Sequence, residues 1–354
     1  MQIQENISLQ PHNTFGIDAK AKLFAGFKDS EELGELLTKD SGPDSYRDRT
    51  LILGGGSNIL FTNDFDGLVL KNEIKGIKKV AEPASPAGKD DEFVYIQAGA
   101  GENWHQFVLQ CIENNWAGAE NLSLIPGNVG ASPMQNIGAY GVEIKDMFHE
   151  LKAFHIKEKT NYTFSLKDCG FGYRESVFKK KYKNEFVILN VTYKLRKKPI
   201  FNTSYGAIEQ ELEKMGVKEL SIRAISDAVI NIRSSKLPNP SGIGNAGSFF
   251  KNPEISNDQF SILNIQFPSI IGYPLDNGNV KLAAGWLIEQ CGPENSVSWK
   301  GFRYGDAGCH DKQALVLVNY GNATGKEIYN LSEEILQSVK KKFRVTLERE
   351  VNIV

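Results

Sequence analysis

The stretch ENLSLIPGNVGASPMQNIGAYGV, residues Glu120–Val142, follows neither a helical nor a strand period. Glycines at 127, 130, 138 and 141 and prolines at 126 and 133 punctuate it, with few charges and several small residues between them. A long aperiodic segment inside a compact domain is usually functional or disordered. Disorder requires low hydrophobicity and high charge, which this segment lacks. It therefore reads as backbone wrapped closely around a ligand.

Upstream, LILGGGSNIL (Leu51–Leu60) runs a short apolar strand, Thr50–Leu53, straight into Gly54-Gly55-Gly56-Ser57-Asn58. Successive N–H groups with no Cβ in the way form a nest for phosphate or pyrophosphate. No G-K-[ST] follows and no G-x-G-x-x-G opens a helix, so the junction is neither a P-loop nor a Rossmann fingerprint. Alone it is as readily a tight turn. Two close-approach loops on one half of a chain suggest a large dinucleotide held by backbone, and FAD fits that size.

The 354-residue chain has room for two or three domains. A hydrophobic content of 41% and a charged content of 24% are those of a soluble globular protein. A net charge of −2 leaves no global basic field for nucleic acid. The run Lys179-Lys180-Lys181 with Lys183 reads first as a solvated face and second as a docking spot for a phosphorylated cofactor. The N-terminal residues lack a basic region followed by an apolar core, and no apolar run spans a bilayer. Cys111, Cys169, Cys291 and Cys309 form no C-x-x-C pair, and the histidines show no ligand spacing. A reduced cytoplasmic protein without a metal site is expected.

Strands are expected from Phe15–Phe27, at Gly67–Leu70, Phe93–Gln97 and Glu150–Ile156, and at Tyr162–Ser165 after a hairpin turn. Phe186–Leu195 alternates as a half-buried strand, and Ala314–Tyr320 reads as a buried one. Helices are expected near Ser30–Leu37 and over Asn103–Asn115, with Trp104, Phe107, Val108, Cys111 and Ile112 inward. Further helices cover Ile222–Ser234, Ala283–Gln290 and Thr324–Lys342, the last opened by a Thr324/Glu327 capping-box pattern. Val345–Val354 closes the chain as a strand, and Lys197-Lys198-Pro199 marks a domain boundary. The class is α+β.

Three clusters carry chemistry. In CGFGYRESVFK (Cys169–Lys179) the setting of Arg174 is apolar enough to strengthen its hydrogen bonds to an anion, although pairing with Glu175 is an equal alternative. LEREV places Glu348 and Glu350 on one side of a strand and Arg349 on the other, most often a solvated edge. GNAGSFFKNP (Gly244–Pro253) carries Ser248, whose commonest role in such a context is a turn or cap. It fails the nucleophile-elbow pattern G-x-S-x-G, and no Asp and His follow it in triad order, which argues against an acyl-serine mechanism.

These motifs together resemble the UDP-N-acetylenolpyruvoylglucosamine reductase family. NTFGIDAKA, LGGGSNIL, NLSLIPGNVGASPMQNIGAYGVE, FGYRESVFK, SSKLPNP, GNAGSFFKNP, KLAAGWLIEQCG, KQALVLVN and LEREV occur in the family's order. SYGAI (Ser204–Ile208) is similar to the subclass whose tyrosine-bearing loop closes over substrate. The resemblance implies an FAD-binding domain of the vanillyl-alcohol-oxidase type over 1–198, in subdomains of about 1–70 and 71–198. A smaller α+β substrate domain would span 199–344, and 345–354 would return as a strand to the active site.

It further implies FAD contacts from Gly54, Gly55, Gly56, Ser57 and Asn58 and from Pro126, Gly127, Gly130, Ala131, Ser132, Gln135, Asn136, Gly138 and Gly141. Tyr173, Tyr205, Lys236, Asn252 and Gln313 would bind the sugar nucleotide. NADPH would reduce the flavin, which would pass hydride to the enolpyruvyl ether of UDP-N-acetylglucosamine enolpyruvate. Arg174 would bind the carboxylate with Glu350 beside it, and Ser248 would protonate the resulting enolate, giving UDP-N-acetylmuramate for peptidoglycan. A monomer with no nucleic-acid or membrane partner is expected. The family commonly continues EVR where this chain has Glu350-Val351-Asn352, which removes a cation at position 352. Another FAD-dependent oxidoreductase on the same flavin fold is the alternative, and a nucleotide-binding sensor would leave Arg174, Ser248 and Glu350 unexplained.

Overall fold

The computed structural model describes residues 2–39, 49–81, 92–293 and 296–354. Two compact units divide the chain: one takes the segment ending at Asn6 with Lys22–Gly55 and Asp66–Ser235, the other Ile7–Ala21, Gly56–Phe65 and Lys236–Val354. The boundary at Lys197-Lys198-Pro199 thus falls inside the first unit. The reason is a small apolar cluster in which Ile208 and Leu212 meet Ile225, Val229 and Ile232, with Tyr140 and Phe201 packed against it. The helices Gly206–Lys214 and Ile222–Lys236 belong there because their apolar faces have that cluster to bury in.

The first unit is built on a five-stranded antiparallel sheet. Its order is Thr160–Ser165, Phe148–His155, Phe186–Arg196, Phe93–Gly99, Ile77–Val80. Helix Trp104–Glu113, capped by the Asn103 side chain, buries the five residues expected from its spacing. Its Trp104 and Phe107 pack on Tyr193, with the Phe107 and Tyr193 ring centroids 4.7 Å apart. The strand Phe186–Arg196, expected to be half-buried, is covered on both faces over its middle. Ile188, Val191 and Tyr193 join the cluster around Trp104, while Val187 and Leu189 join one built on Leu33, Leu36 and Leu37 of helix Ser30–Lys39. A register slip opposite Lys152 and Ala153 moves the odd-numbered residues from one layer, at Val187 and Leu189, to the other, at Val191 and Tyr193. A second sheet has the order Gln4–Ser8, Lys20–Phe27, Phe65–Asn72, Thr50–Leu53, the last two strands parallel.

In the second unit, Gly244–Ser248, Val316–Asn319, Ala307–Cys309 and Arg303–Tyr304 lie in that order in an antiparallel sheet. Helix Gly325–Phe343 is closed at its start by the expected Thr324/Glu327 capping box. The expected strand over Val345–Val354 is reduced to Asn352–Ile353, parallel to Ile59–Leu60. Upstream of it the segment docks by burying Val345, Leu347 and Val351 and by isolated backbone bonds at Glu348 and Glu350, so no continuous ladder forms. Among the described residues no helix is long and apolar enough to cross a membrane.

All four cysteines are buried thiols, and burial pushes Cys169 and Cys309 up to about 12. The folded protein is expected to leave a thiol reagent unconsumed at pH 8, and to consume it only once unfolded in urea. A stoichiometric reaction under native conditions would contradict this burial. Thr324→Ala removes the cap and should cost about 1 kcal/mol in urea-monitored stability.

Candidate active site

Within the first unit the two glycine-rich stretches meet. An added Cβ on Gly55 would lie 2.9 Å from Asn128 Oδ1 and 3.0 Å from the Gly127 Cα, so this approach tolerates no side chain. Gly55, Pro126, Ala131 and Gly141 are exposed around it. The loop expected to be irregular contains short 3-10 turns at Glu120–Leu122 and Val129–Ala131. It also holds a small hairpin pairing Gly138–Ala139 with Val142–Glu143. Tyr140 and Gly141 make its turn with φ of +49° and +80°, the conformation a two-residue hairpin requires. Leu124 (φ +58°) and Asn136 (φ +45°) are left-handed as well. Non-glycine residues held there collect at functional sites.

Not every expected cofactor contact presents its side chain. Ser132 is fully buried, its hydroxyl 2.8 Å from Tyr193 Oη and donating to the Val129 carbonyl at 2.7 Å. Asn136 is equally buried. An added Cβ on Gly130 would stand 2.6 Å from Ala100 Cβ, so that glycine answers to protein packing. What the stretch offers a ligand is peptide surface bare of side chains, and this chemistry fits the pyrophosphate of a flavin dinucleotide.

Arg174 stands on the tip of a tight turn. Gly172 and Glu175 exchange backbone hydrogen bonds of 3.0 and 3.3 Å, and Arg174 takes φ +54° between them. Its Nη2 donates to the Gly138 carbonyl at 2.7 Å, and an added Cβ on Gly138 would lie 3.3 Å from Nη1. Lys179 Nζ donates to the Arg174 carbonyl at 3.2 Å, and Lys180 pairs with Glu175 at 3.4 Å. Two lysines of the basic run thus hold the arginine's own turn. Tyr173, 39% exposed, lies under the guanidinium with 5.5 Å between Cζ and the ring centroid.

Sequence reasoning missed Arg233. Its Nε donates to the Leu124 carbonyl at 3.2 Å, and burial lowers its pKa against the opposing pull of Tyr140. It also feels the charge of Arg174. Tyr140 in turn meets the Tyr205 ring edge-on at 5.5 Å. Arg174, Tyr140, Arg233 and Tyr205 are therefore linked as one cationic, aromatic group. The only signal for Arg233 was its place in helix Ile222–Lys236, where a charged residue sits among apolar ones.

In the second unit three distant motifs are laced together. Gly244 has Phe15 O only 2.1 Å from where a Cβ would stand, whereas Gly247 has open space and φ +69°. Gly247 sits at the register shift between Asn245 and Ser248, which leaves Ser248 exposed beside fully buried Phe249 and Phe250. The Glu350 N–H donates to the Phe249 carbonyl at 2.8 Å, and the Glu350 carbonyl accepts from Asn58 Nδ2 at 3.2 Å. The Asn352 backbone and side-chain N–H groups both reach the Asn58 carbonyl, at 3.1 and 2.9 Å, so this residue serves as a backbone staple. Asn252 Oδ1 accepts from the Ala284 N–H at 2.9 Å, and Gln313 Oε1 closes on Gly285 in the same turn. Lys236 is exposed where helix Ile222–Lys236 ends.

Backbone bare of side chains in one unit, and in the other an exposed Ser248 whose neighbour Phe249 accepts the Glu350 N–H, are features that a flavin-dependent oxidoreductase would use. Residues 44–157 match the family model for an FAD binding domain, and 239–354 match the C-terminal domain of UDP-N-acetylenolpyruvoylglucosamine reductase. The UDP-N-acetylenolpyruvoylglucosamine reductase of Flavobacterium johnsoniae is 48% identical over the whole of both chains. That of Amoebophilus asiaticus is 50% identical, again over the whole of both. The crystal structure of the Thermus caldophilus reductase, at 21% identity, superposes with a TM-score of 0.65 over 100% of this chain and 99% of that one. The chain belongs to the UDP-N-acetylenolpyruvoylglucosamine reductase family.

One acid at the start of the loop gives a pH test. Glu120 is 3% exposed, and its Oε2 accepts from the Gly118 N–H at 2.6 Å. Burial raises its pKa above the ordinary 4.5. The folded protein therefore holds this proton more tightly than the unfolded chain does, and stability falls as pH rises from the unfolded value through the folded one. Glu120→Gln keeps the acceptor and removes the charge. It should raise the urea midpoint at pH 7, with the gain disappearing below about pH 4.5.

Proposed function

We propose that this protein reduces the enolpyruvyl ether of UDP-N-acetylglucosamine enolpyruvate to UDP-N-acetylmuramate, using NADPH and FAD, in the synthesis of peptidoglycan precursors. The observation that carries the reading is Arg174. It is a cation held on a strained turn (φ +54°), its guanidinium tied to a loop built almost without side-chain bulk. FAD, when bound, supplies hydride transfer from NADPH and then to the terminal methylene carbon of the substrate. Gly54–Asn58 and the peptide groups of the Pro126–Gly141 loop would hold it, not the buried side chains of Ser132 and Asn136.

Hydride addition places negative charge on the carbon beside the substrate carboxylate, giving an enolate dianion. Arg174 pairs with that carboxylate, and a fixed cation in a desolvated site stabilises the developing charge without reorganising. Glu350 lies beside the same group in its acid form or through a hydrogen bond, because an unpaired second anion would repel the enolate. Ser248 gives its hydroxyl proton to the carbanion-like carbon, setting the lactyl stereocentre. An ordinary hydroxyl suffices because the enolate is so strong a base, provided the oxygen is positioned over the carbon. Tyr173, Tyr205, Lys236, Asn252 and Gln313 hold the sugar nucleotide. On this reading 1–198 serves the flavin, 199–344 the substrate, and 345–354 brings Glu350 to the chemistry. We place the enzyme in the cytoplasm as a monomer, a location supported by its buried thiols.

Anaerobic stopped-flow absorbance tests the proposal. Flavin reduced by NADPH should return to its oxidised spectrum on addition of UDP-N-acetylglucosamine enolpyruvate, and no return would refute the assignment. Ser248→Ala should keep its flavin and its reduction by NADPH, while product formation falls by about 10²-fold or more.

A further inference from the structure

We propose that Asn136 is a positioning residue for Arg174, working through the Gly172 carbonyl. The inference rests on the catalytic reading of Arg174 given above. Asn136 is 0% exposed, and each polar atom of its side chain is engaged by the protein. Nδ2 donates to the Gly172 carbonyl at 3.1 Å and to Glu143 Oε2 at 3.0 Å, and Oδ1 accepts from the Lys145 N–H at 3.1 Å. The amide has two N–H donors, and both are spent. A bound ligand would have to break one of these bonds to reach it. The backbone φ of +45° also suits asparagine, one of the few residue types that visits this region at small cost.

The arrangement ties Arg174 at both ends. Gly172 opens the turn on which Arg174 sits, so holding its carbonyl fixes where the arginine leaves the backbone. Glu143 closes the hairpin whose Gly138 carbonyl receives the guanidinium at 2.7 Å. One buried amide therefore sets the root of the side chain and the strand that steadies its head. Lys145 Nζ, 2.7 Å from Glu143 Oε2, holds that carboxylate in place as the acceptor. Ser176 Oγ, donating to the Met134 carbonyl at 2.6 Å, fastens the far side of the turn to the same loop. Remove the amide, and the turn retains its internal bonds but loses its register against the hairpin. A displacement of about 1 Å at a reacting group costs on the order of 10²-fold in rate.

The test uses the FAD-loaded enzyme and reads its two half-reactions separately. Asn136→Asp has the same shape and tolerates the same φ, but it removes both donors and sets an acidic group against Glu143 and the Gly172 carbonyl. Asn136→Gly keeps the φ and removes the whole side chain. Both should bind flavin and be reduced by NADPH within about twofold of the parent, while flavin reoxidation by UDP-N-acetylglucosamine enolpyruvate slows by about tenfold to 10²-fold. Combined with Arg174→Gln, either substitution should add less than about twofold to the loss that Arg174→Gln causes alone, because it acts through that residue. Multiplicative losses in the double variants, undiminished reoxidation in the single ones, or loss of flavin from both would each overturn the proposal. Arg174→Gln alone separates the two levels of inference: if it left reoxidation untouched, the reading of Arg174 itself would fall, and this proposal with it.

Discussion

A buried segment without a regular ladder must still find partners for its peptide groups, and on this requirement the glycine-rich loop depends. Residues Glu120–Val142 meet it with short polar side chains aimed at backbone. Asn121 Nδ2 reaches the carbonyls of Tyr140 and Asn202, and Ser123 Oγ reaches its neighbour's carbonyl at Glu120. Ser132 reaches Val129, and Asn136 reaches Gly172. Side chains that satisfy backbone also freeze it. The loop is irregular in shape and over-determined in position, which is what holding left-handed residues at Leu124, Asn136 and Tyr140 demands.

This explains which parts of the site were legible in the sequence. Glycine reports that something comes close, but it does not say what. Gly55 and Gly127 approach each other, Gly130 approaches Ala100, Gly56 leaves room for the His12 carbonyl, and Gly244 for Phe15. Much of the pattern attributed to a ligand is therefore protein meeting protein, and the cradle left over is its consequence. Ser132 and Asn136 look like ligand contacts by type, and in the structure their side chains bond to protein. For Arg174 the sequence left anion binding and pairing with Glu175 open, and the structure adds that its guanidinium donates to the Gly138 carbonyl.

The fold was legible wherever one face of an element is buried and the other is not. Helix Trp104–Glu113 and helix Gly325–Phe343 follow from their spacing and caps. The strand Phe186–Arg196 misled because its alternating residues divide between two layers, Val187 and Leu189 before the bulge and Val191, Tyr193 and Leu195 after it. The closing segment misled because alternating Val345, Leu347 and Val351 mimics a ladder that forms only over Asn352–Ile353. The units did not follow the linear order either. No local signal reveals that Ile7–Ala21 and Gly56–Phe65 belong with the C-terminal part of the chain.

That interleaving bears on how the protein is made. Asn58 and Glu350 are joined across 292 residues, and Thr14 with Asn245 across 231. During synthesis Gly56–Phe65 emerges early and waits for partners that the ribosome has yet to translate. The second unit cannot close until Asn352–Ile353 arrives to lie beside Ile59–Leu60. A nascent chain thus has the Arg174 turn and its bracing loop long before it has a settled serine and glutamate. Contacts of such long sequence separation are slow to form, and they expose the waiting strand to chaperones and to misassembly. The surroundings of Ser248 and Glu350 therefore settle only after Asn352–Ile353 has been translated.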